Sequence, residues 1–213
     1  MCSNYKMDES RSFKCLICFE DIQNGISFFD YFKRPDCICG NCRQKFVILN
    51  KEVKVNGLSI YALYEYDDYL EDLMFTFKEN KDVALHPIFL YPYQKLLRKK
   101  YRKETIVFAP SSLEKEMERG FQTLPLLFQG IKLPTIQLFE KEKDYKQSSK
   151  SFLRRKDIKE VIHLRKSVEM PERMVLVDDM CTSGETLKRM YELVKHKEKV
   201  KIFTIAINKK LLK

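Results

Sequence analysis

Four short apolar runs constrain this chain more than any other feature: 106–110 (IVFAP), 135–139 (TIQLF), 174–179 (MVLVDD) and 201–207 (KIFTIAI). Each is nearly continuous in aliphatic and aromatic residues instead of alternating with polar ones. That is the pattern of strands buried on both faces of a parallel sheet. Helical stretches separate them, with SSLEKEMERG opening after the first run and 185–195 lying between the last two. Upstream, 58–64 (LSIYALY) predicts a further strand. Residues 66–77 predict an amphipathic helix whose apolar positions are Leu70, Leu73, Met74 and Phe77. Pro87 is placed for the first turn of another helix running into LLRKKYRK. This alternation predicts an α/β domain with a parallel sheet flanked by helices. Between 140 and 173 the sequence turns polar and basic, as a loop or a solvated excursion would.

The cysteines mark a second, smaller module. Five of the seven fall in one N-terminal stretch: Cys15, Cys18, Cys37, Cys39 and Cys42. Cys15-Leu-Ile-Cys18 and Cys39-Gly-Asn-Cys42 form two Cys-x-x-Cys knuckles, which place four thiolates for a closed, structural tetrahedral zinc. Cys37 competes with Cys39 for the third ligand position, and completion of the second knuckle favours Cys39. The module carries few apolar residues, so its folding is expected to depend on the metal. The turn signal Asn56-Gly57 places the boundary near residue 55, giving a finger over 1–55 and a main domain over 56–213.

Composition bounds the function. The 213 residues carry a net charge of +10, with a hydrophobic fraction of 44% and a charged fraction of 33%, as in a globular protein and unlike a disordered one. No apolar run reaches the length of a membrane span. The start, MCSNYKMDESRSFK, lacks the apolar core of a secretory signal, so a reducing, cytoplasmic setting is expected. The surplus of positive charge suits a polyanionic partner as well as it suits a solvated basic surface.

The sharpest motif is MVLVDDMCTSGET at 174–186, a buried strand that ends in two carboxylates, then a hydroxyl-rich turn, then a helix. Ligands of open parallel sheets bind at the carboxyl ends of strands. The turn's N–H groups and the helix start suit an anion, with hydroxyls at Thr182, Ser183 and Thr186 and close approach allowed by Gly184. Asp178 and Asp179 then face sugar hydroxyls or a metal. The plainer reading is a strand, a polar turn and a helix cap from Thr182 or Ser183. A nucleotide-hydrolase reading fails, because the chain holds no Gly-x-x-x-x-Gly-Lys-[Ser/Thr] and only six glycines.

This motif closely resembles the phosphoribosyl-pyrophosphate loop of type I phosphoribosyltransferases. Together with the cysteine knuckles it resembles the ComF family of competence proteins. Glu118-Arg119-Gly120-Phe121-Gln122 resembles that family's Glu-Arg-Gly-Phe-Asn-Gln, and Phe77-Lys78-Glu79-Asn80-Lys81-Asp82 its Tyr-Lys-Phe-x-Gly-Asp without the Gly. Lys146-Gln147-Ser148-Ser149-Lys150 resembles its Lys-Gln-Ser-x-Lys. The resemblance implies that Asp178, Asp179, Met180, Cys181, Thr182, Ser183, Gly184, Glu185 and Thr186 bind phosphoribosyl pyrophosphate (PRPP). In that arrangement the aspartates meet the ribose 2′- and 3′-hydroxyls, and 181–186 hold the 5′-phosphate. It further implies Ser111 near the pyrophosphate, Arg119 as a cationic contact, and Mg²⁺ bridging the ligand's oxygens. No catalytic residue is assigned.

Two basic stretches, 95–103 and 141–155, carry Lys99, Lys100, Arg102, Lys150, Arg154 and Arg155 beside Tyr91, Tyr93, Tyr101, Tyr145 and Phe152. Cations for phosphates and rings for bases suit single-stranded nucleic acid, although a solvated helix face and a lysine-rich loop would look the same. The three histidines, His86, His163 and His196, are scattered and read as structural or surface residues. The family resemblance points to a DNA-uptake protein of natural transformation that binds single-stranded DNA and PRPP, in the cytoplasm or recruited to membrane-bound uptake machinery. The alternatives are an active phosphoribosyltransferase of unknown acceptor, and a non-enzymatic adaptor for the competence helicase ComFA.

Overall fold

The computed structural model describes residues 13–22, 36–141, 162–197 and 199–212. The chain divides into two compact units, Met1–Lys45 and Phe46–Lys213. In the first unit, β1 (Phe13–Lys14) pairs antiparallel with β2 (Asp21–Ile22), and a one-turn helix, α1 (Gly40–Gln44), starts directly after Cys39. Asp36 anchors this unit. Both of its oxygens accept from Arg43, at 2.7 and 2.8 Å, and it also accepts from the Cys37 N–H.

The second unit is built on a six-stranded sheet of order β3-β4-β10-β9-β5-β6. These strands are β3 (Ile48–Val55), β4 (Leu58–Tyr66), β5 (Thr105–Phe108), β6 (Thr135–Ile136), β9 (Arg173–Cys181) and β10 (Lys199–Asn208). β3 is antiparallel to β4, and the remaining pairs are parallel. Asn56-Gly57, expected near a domain boundary, instead turns the β3–β4 hairpin, with both residues at positive φ (52° and 82°). Residues 48–55 therefore belong to the sheet, and the compact units divide earlier, between Lys45 and Phe46.

Central strands are buried on both sides, with Met174, Val175, Leu176 and Val177 all at 0% exposure, as their continuous apolar pattern requires. One face packs against α7 (Glu185–Val194) through Leu187, Met190 and Val194. The other carries an aromatic cluster in which Phe203 meets Tyr61, Tyr101 and Phe128 with ring centroids 5.9–6.1 Å apart. The helices between β4 and β6 are α2 (Asp68–Lys78), α3 (His86–Leu90), α4 (Gln94–Lys100), α5 (Leu113–Arg119) and α6 (Thr123–Phe128). α2 buries the predicted face of Leu70, Leu73, Met74 and Phe77, and is capped by Asp67, whose carboxylate accepts from the Leu70 N–H.

Two expectations change. The run 135–139 is not one strand: β6 ends at Ile136, and β7 (Phe139–Lys141) pairs instead with β8 (Ile162–Leu164) in a separate antiparallel ribbon. Gln137 and Leu138 make the break, since the Gln137 amide donates to Gln122 and the Leu138 carbonyl accepts from the Arg165 N–H. The helix after Pro87 is broken as well. A 3-10 turn at Tyr91–Tyr93 splits α3 from α4, because Pro92 supplies no N–H to a continuous helix.

Candidate functional site

The chain connections locate the site. From β5 the chain moves outward through α5 and α6 to β6, whereas from β9 it moves the opposite way through α7 to β10. β5 and β9 are neighbours, so their carboxyl ends form a topological switch point, where open α/β sheets leave a crevice. A cleft of about 480 Å³ lies there, lined by Ser111, Arg119, Asp178, Asp179 and Thr186 of the expected residues, and also by Lys78.

The carboxylates are held in a charged frame. Lys78, at the end of α2, places Nζ 2.7 Å from Asp179 Oδ2, with the lysine side chain only 10% exposed. The next residue, Glu79, accepts from Arg119 Nη2 at 2.6 Å. Asp178 Oδ1 accepts from the Asp179 N–H. Burial, reinforced by the Asp179 charge and opposed by Lys78, pushes the Asp178 carboxyl up to about 7. The unfolded carboxyl titrates near 4, so between about 4 and 7 the folded chain keeps a proton that the unfolded chain has lost. Through this group stability falls as pH rises across that window, by at most about 1.4 kcal/mol per pH unit. Asp178→Asn is expected to flatten the profile of melting temperature between pH 5 and 7; an unchanged slope would show that Asp178 titrates normally.

On the other wall, Ser111 Oγ donates to Glu116, which also accepts from Gln122 Nε2 at 3.0 Å. Behind the cleft, β9 continues through Met180 and Cys181 in register with Ala206 and Ile207, so these two are sheet residues and the turn begins at Thr182. The Cys181 side chain lies in the core, where burial, and Asp178 after it, push its thiol up to about 12. Gly184, at φ +77°, starts α7 as its N-cap in place of a Thr182 or Ser183 side chain. A Cβ there would sit 2.9 Å from Val55. Asn56 Nδ2 donates to the Ser183 carbonyl at 2.9 Å and to Glu185 Oε1 at 3.3 Å. The β3–β4 hairpin thus buttresses the turn from behind. Asn56 read as a linker residue, and only the sheet order shows what it supports.

In the N-terminal unit, the sulfur atoms of Cys15, Cys18, Cys39 and Cys42 lie within 4.8 Å of one another. Four soft donors at that spacing fit a tetrahedral metal and leave no open position. Cys37 stands outside the group, with its thiol donating to Asp36 Oδ1 and pushed up to about 12, first by burial and then by Asp36.

No family profile matches the chain. The Competence protein ComFC of Streptococcus pneumoniae R6 is 23% identical over 205 residues, covering 85% of this chain and 93% of its own. The ComFC of Bacillus subtilis 168 is 26% identical over 128 residues, 59% of this chain and 53% of its own. The chain is therefore similar, over most of its length, to a curated competence protein named ComFC. Solved structures similar to this chain include an adenine phosphoribosyltransferase (15% identity, TM-score 0.43, 80% of this chain and 91% of that one). The adenine phosphoribosyltransferase of Giardia lamblia is another (13% identity, TM-score 0.39, covering 78% and 96%).

The basic stretch 95–103 lies elsewhere in the fold, whereas Lys141, the described residue of the second stretch, lines the cleft. Lys99 and Arg102 are exposed at and after the end of α4, and Lys100 Nζ sits 3.9 Å above the Tyr61 ring. These residues lead into β5, so they sit at the amino end of the sheet, away from the cleft. The register brings Arg173 and Lys199 to the same edge. Lys201 and Arg173 hold the buried Glu104 at 2.9 and 3.1 Å. Burial alone would raise the Glu104 carboxyl, but the two cations outweigh it and hold it below its usual range. Tyr101, the ring inside this stretch, is 2% exposed and cannot stack on a base. Lys150, Arg154, Arg155, Tyr145 and Phe152 lie outside the described residues. Of the histidines, His86 bonds the Val83 carbonyl, His163 lines a separate cavity at β7 and β8, and His196 is exposed. Among the described residues no helix is long and apolar enough to cross a membrane.

Proposed function

We propose that this chain is a competence-associated protein that binds PRPP in the switch-point cleft and single-stranded DNA on the basic amino edge of the sheet. The observation that carries the reading is the convergence of Asp178, Asp179 and Thr186 on the 109–112 turn within one cleft. The carboxylates suit the vicinal hydroxyls of a ribose. The buttressed turn and the start of α7 suit its 5′-phosphate. Arg119 and Lys78 bring positive charge for a diphosphate. Hard carboxylate oxygens also fit Mg²⁺, which when bound neutralises pyrophosphate charge, and the four clustered cysteines fit a structural Zn²⁺.

Lys99, Lys100 and Arg102 provide phosphate contacts without an exposed Tyr101 ring, so DNA binding is expected to be backbone-directed and strongly salt-dependent. Because cleft and basic edge lie at opposite ends of the strands, both ligands fit at once. Titration calorimetry with PRPP and Mg²⁺, and anisotropy of a labelled oligonucleotide across a salt series, test both parts. Saturating PRPP is expected to leave DNA affinity within about two-fold, while Lys99→Glu plus Arg102→Glu weakens it about ten-fold or more. Absence of PRPP binding ends the cleft assignment; direct competition between the two ligands ends the two-site arrangement.

A further inference from the structure

Two of the charged groups expected to meet the ligand, Asp179 and Arg119, are already engaged, by consecutive residues of one helix end. Lys78 pairs with Asp179 and Glu79 with Arg119. α2 reaches this point because Asp67 caps its start and Leu70, Leu73, Met74 and Phe77 bury its face, which leaves its last turn at the cleft. Lys78 is nine-tenths buried and lines the cleft, whereas Glu79 is more exposed and does not line it.

We infer that the Lys78–Glu79 pair is a counter-ion clamp: it holds Asp179 and Arg119 in the free protein and hands both to the ligand, with Lys78 becoming a phosphate-binding residue of the cleft. The inference rests on the sugar-diphosphate reading above. A half-buried pair of adjacent carboxylates needs a cation while the cleft is empty, and among the described residues Lys78 supplies one within ion-pair distance of Asp179. Ribose hydroxyls donating to Asp179 satisfy that carboxylate and free the ammonium group, which then faces an incoming phosphate inside the same cleft. Arg119 exchanges a single carboxylate of Glu79 for a diphosphate that offers more oxygens to its planar donors. Neither exchange breaks a covalent bond or leaves a buried charge alone. The two ends of the clamp have opposite consequences for affinity. Removing Lys78 takes a contact from the ligand, whereas neutralising Glu79 removes a competitor.

Calorimetry of the full chain against PRPP with Mg²⁺, and separately against inorganic pyrophosphate, tests this with Lys78→Met, Lys78→Arg and Glu79→Gln. Lys78→Met is expected to weaken PRPP binding about 10- to 100-fold, and Lys78→Arg to recover most of that loss. Glu79→Gln is expected to tighten pyrophosphate binding about three-fold or more, a gain that a purely structural ion pair would not give. If Lys78→Met fails to fold, the Glu79→Gln gain and the Lys78→Arg affinity still decide. A parent chain that binds neither probe overturns the cleft reading and the clamp with it. A parent chain that binds while Glu79→Gln binds equally or more weakly overturns the clamp alone, as does a folded Lys78→Met of parental affinity.

Discussion

Replacing Asp178 and Asp179 together by Asn is expected to abolish measurable PRPP binding, a loss of about 100-fold or more, while the chain stays folded. In the proposed arrangement each carboxylate accepts hydrogen bonds from the ligand, and bonds to a charged acceptor contribute about 1.5–3 kcal/mol apiece. The double Asn change keeps shape and removes both charges, so a loss of affinity is not a loss of packing. It also removes repulsion within the cleft, because Asp179 is one of the charges that raise Asp178. Lys78 keeps an amide oxygen as acceptor. The expected thermal midpoint is therefore within a few degrees of the parent's, and calorimetry together with a melting curve reads both quantities. Parental affinity in the double variant would show that PRPP binds elsewhere or not at all.

The second large effect concerns the N-terminal unit. Cys15→Ser or Cys42→Ser is expected to lower bound zinc from about one ion per chain to nearly none, and to make residues 1–45 readily cleaved by protease. Cys37→Ser is expected to keep the ion, since its thiol bonds Asp36 and lies outside the four-sulfur cluster. The described part of this unit has little core beyond Ile38 and the buried cysteines, and its only sheet is a two-residue pairing. Metal binding in zinc-finger peptides is worth roughly 10–16 kcal/mol, far more than such a core supplies. A chelator should therefore expose this unit to protease while the sheet of the second unit resists. Full zinc content in Cys42→Ser, or its loss in Cys37→Ser, would overturn the ligand assignment.

Much of this was legible in the residues. The continuous apolar runs around Val107, Leu176 and Phe203 reported two-sided burial, because a strand with helices on both faces has no solvent side to mark with polar residues. The α2 face was legible from its spacing, and the cysteine knuckles from theirs. The strand Ile48–Val55 that completes a hairpin with β4 was missed, since it mixes apolar and charged residues as an exposed edge strand does. The break between β6 and β7 was missed because it depends on Gln137 bonding Gln122, the residue that caps the start of α6. The expectation of stacking rings failed at Tyr101 because sequence proximity to lysines does not report which way a ring turns.

By itself, the sequence determined the alternation that requires a parallel sheet, the acidic end of β9 with its hydroxyl turn, and the four thiols of the finger. Each of these is read from local patterns: the periodicity of a run, a short motif, and the Cys-x-x-Cys spacing of each knuckle. The tertiary structure alone decided the rest. It set the strand order that puts β5 beside β9 and opens the cleft, the hairpin amide that buttresses Ser183, the counter-ions that Lys78 and Glu79 provide, and the separation of the 95–103 basic edge from the cleft. Those are contacts between residues far apart in the chain. They are set by which strands pair and which faces pack, and no local pattern of residue types encodes them.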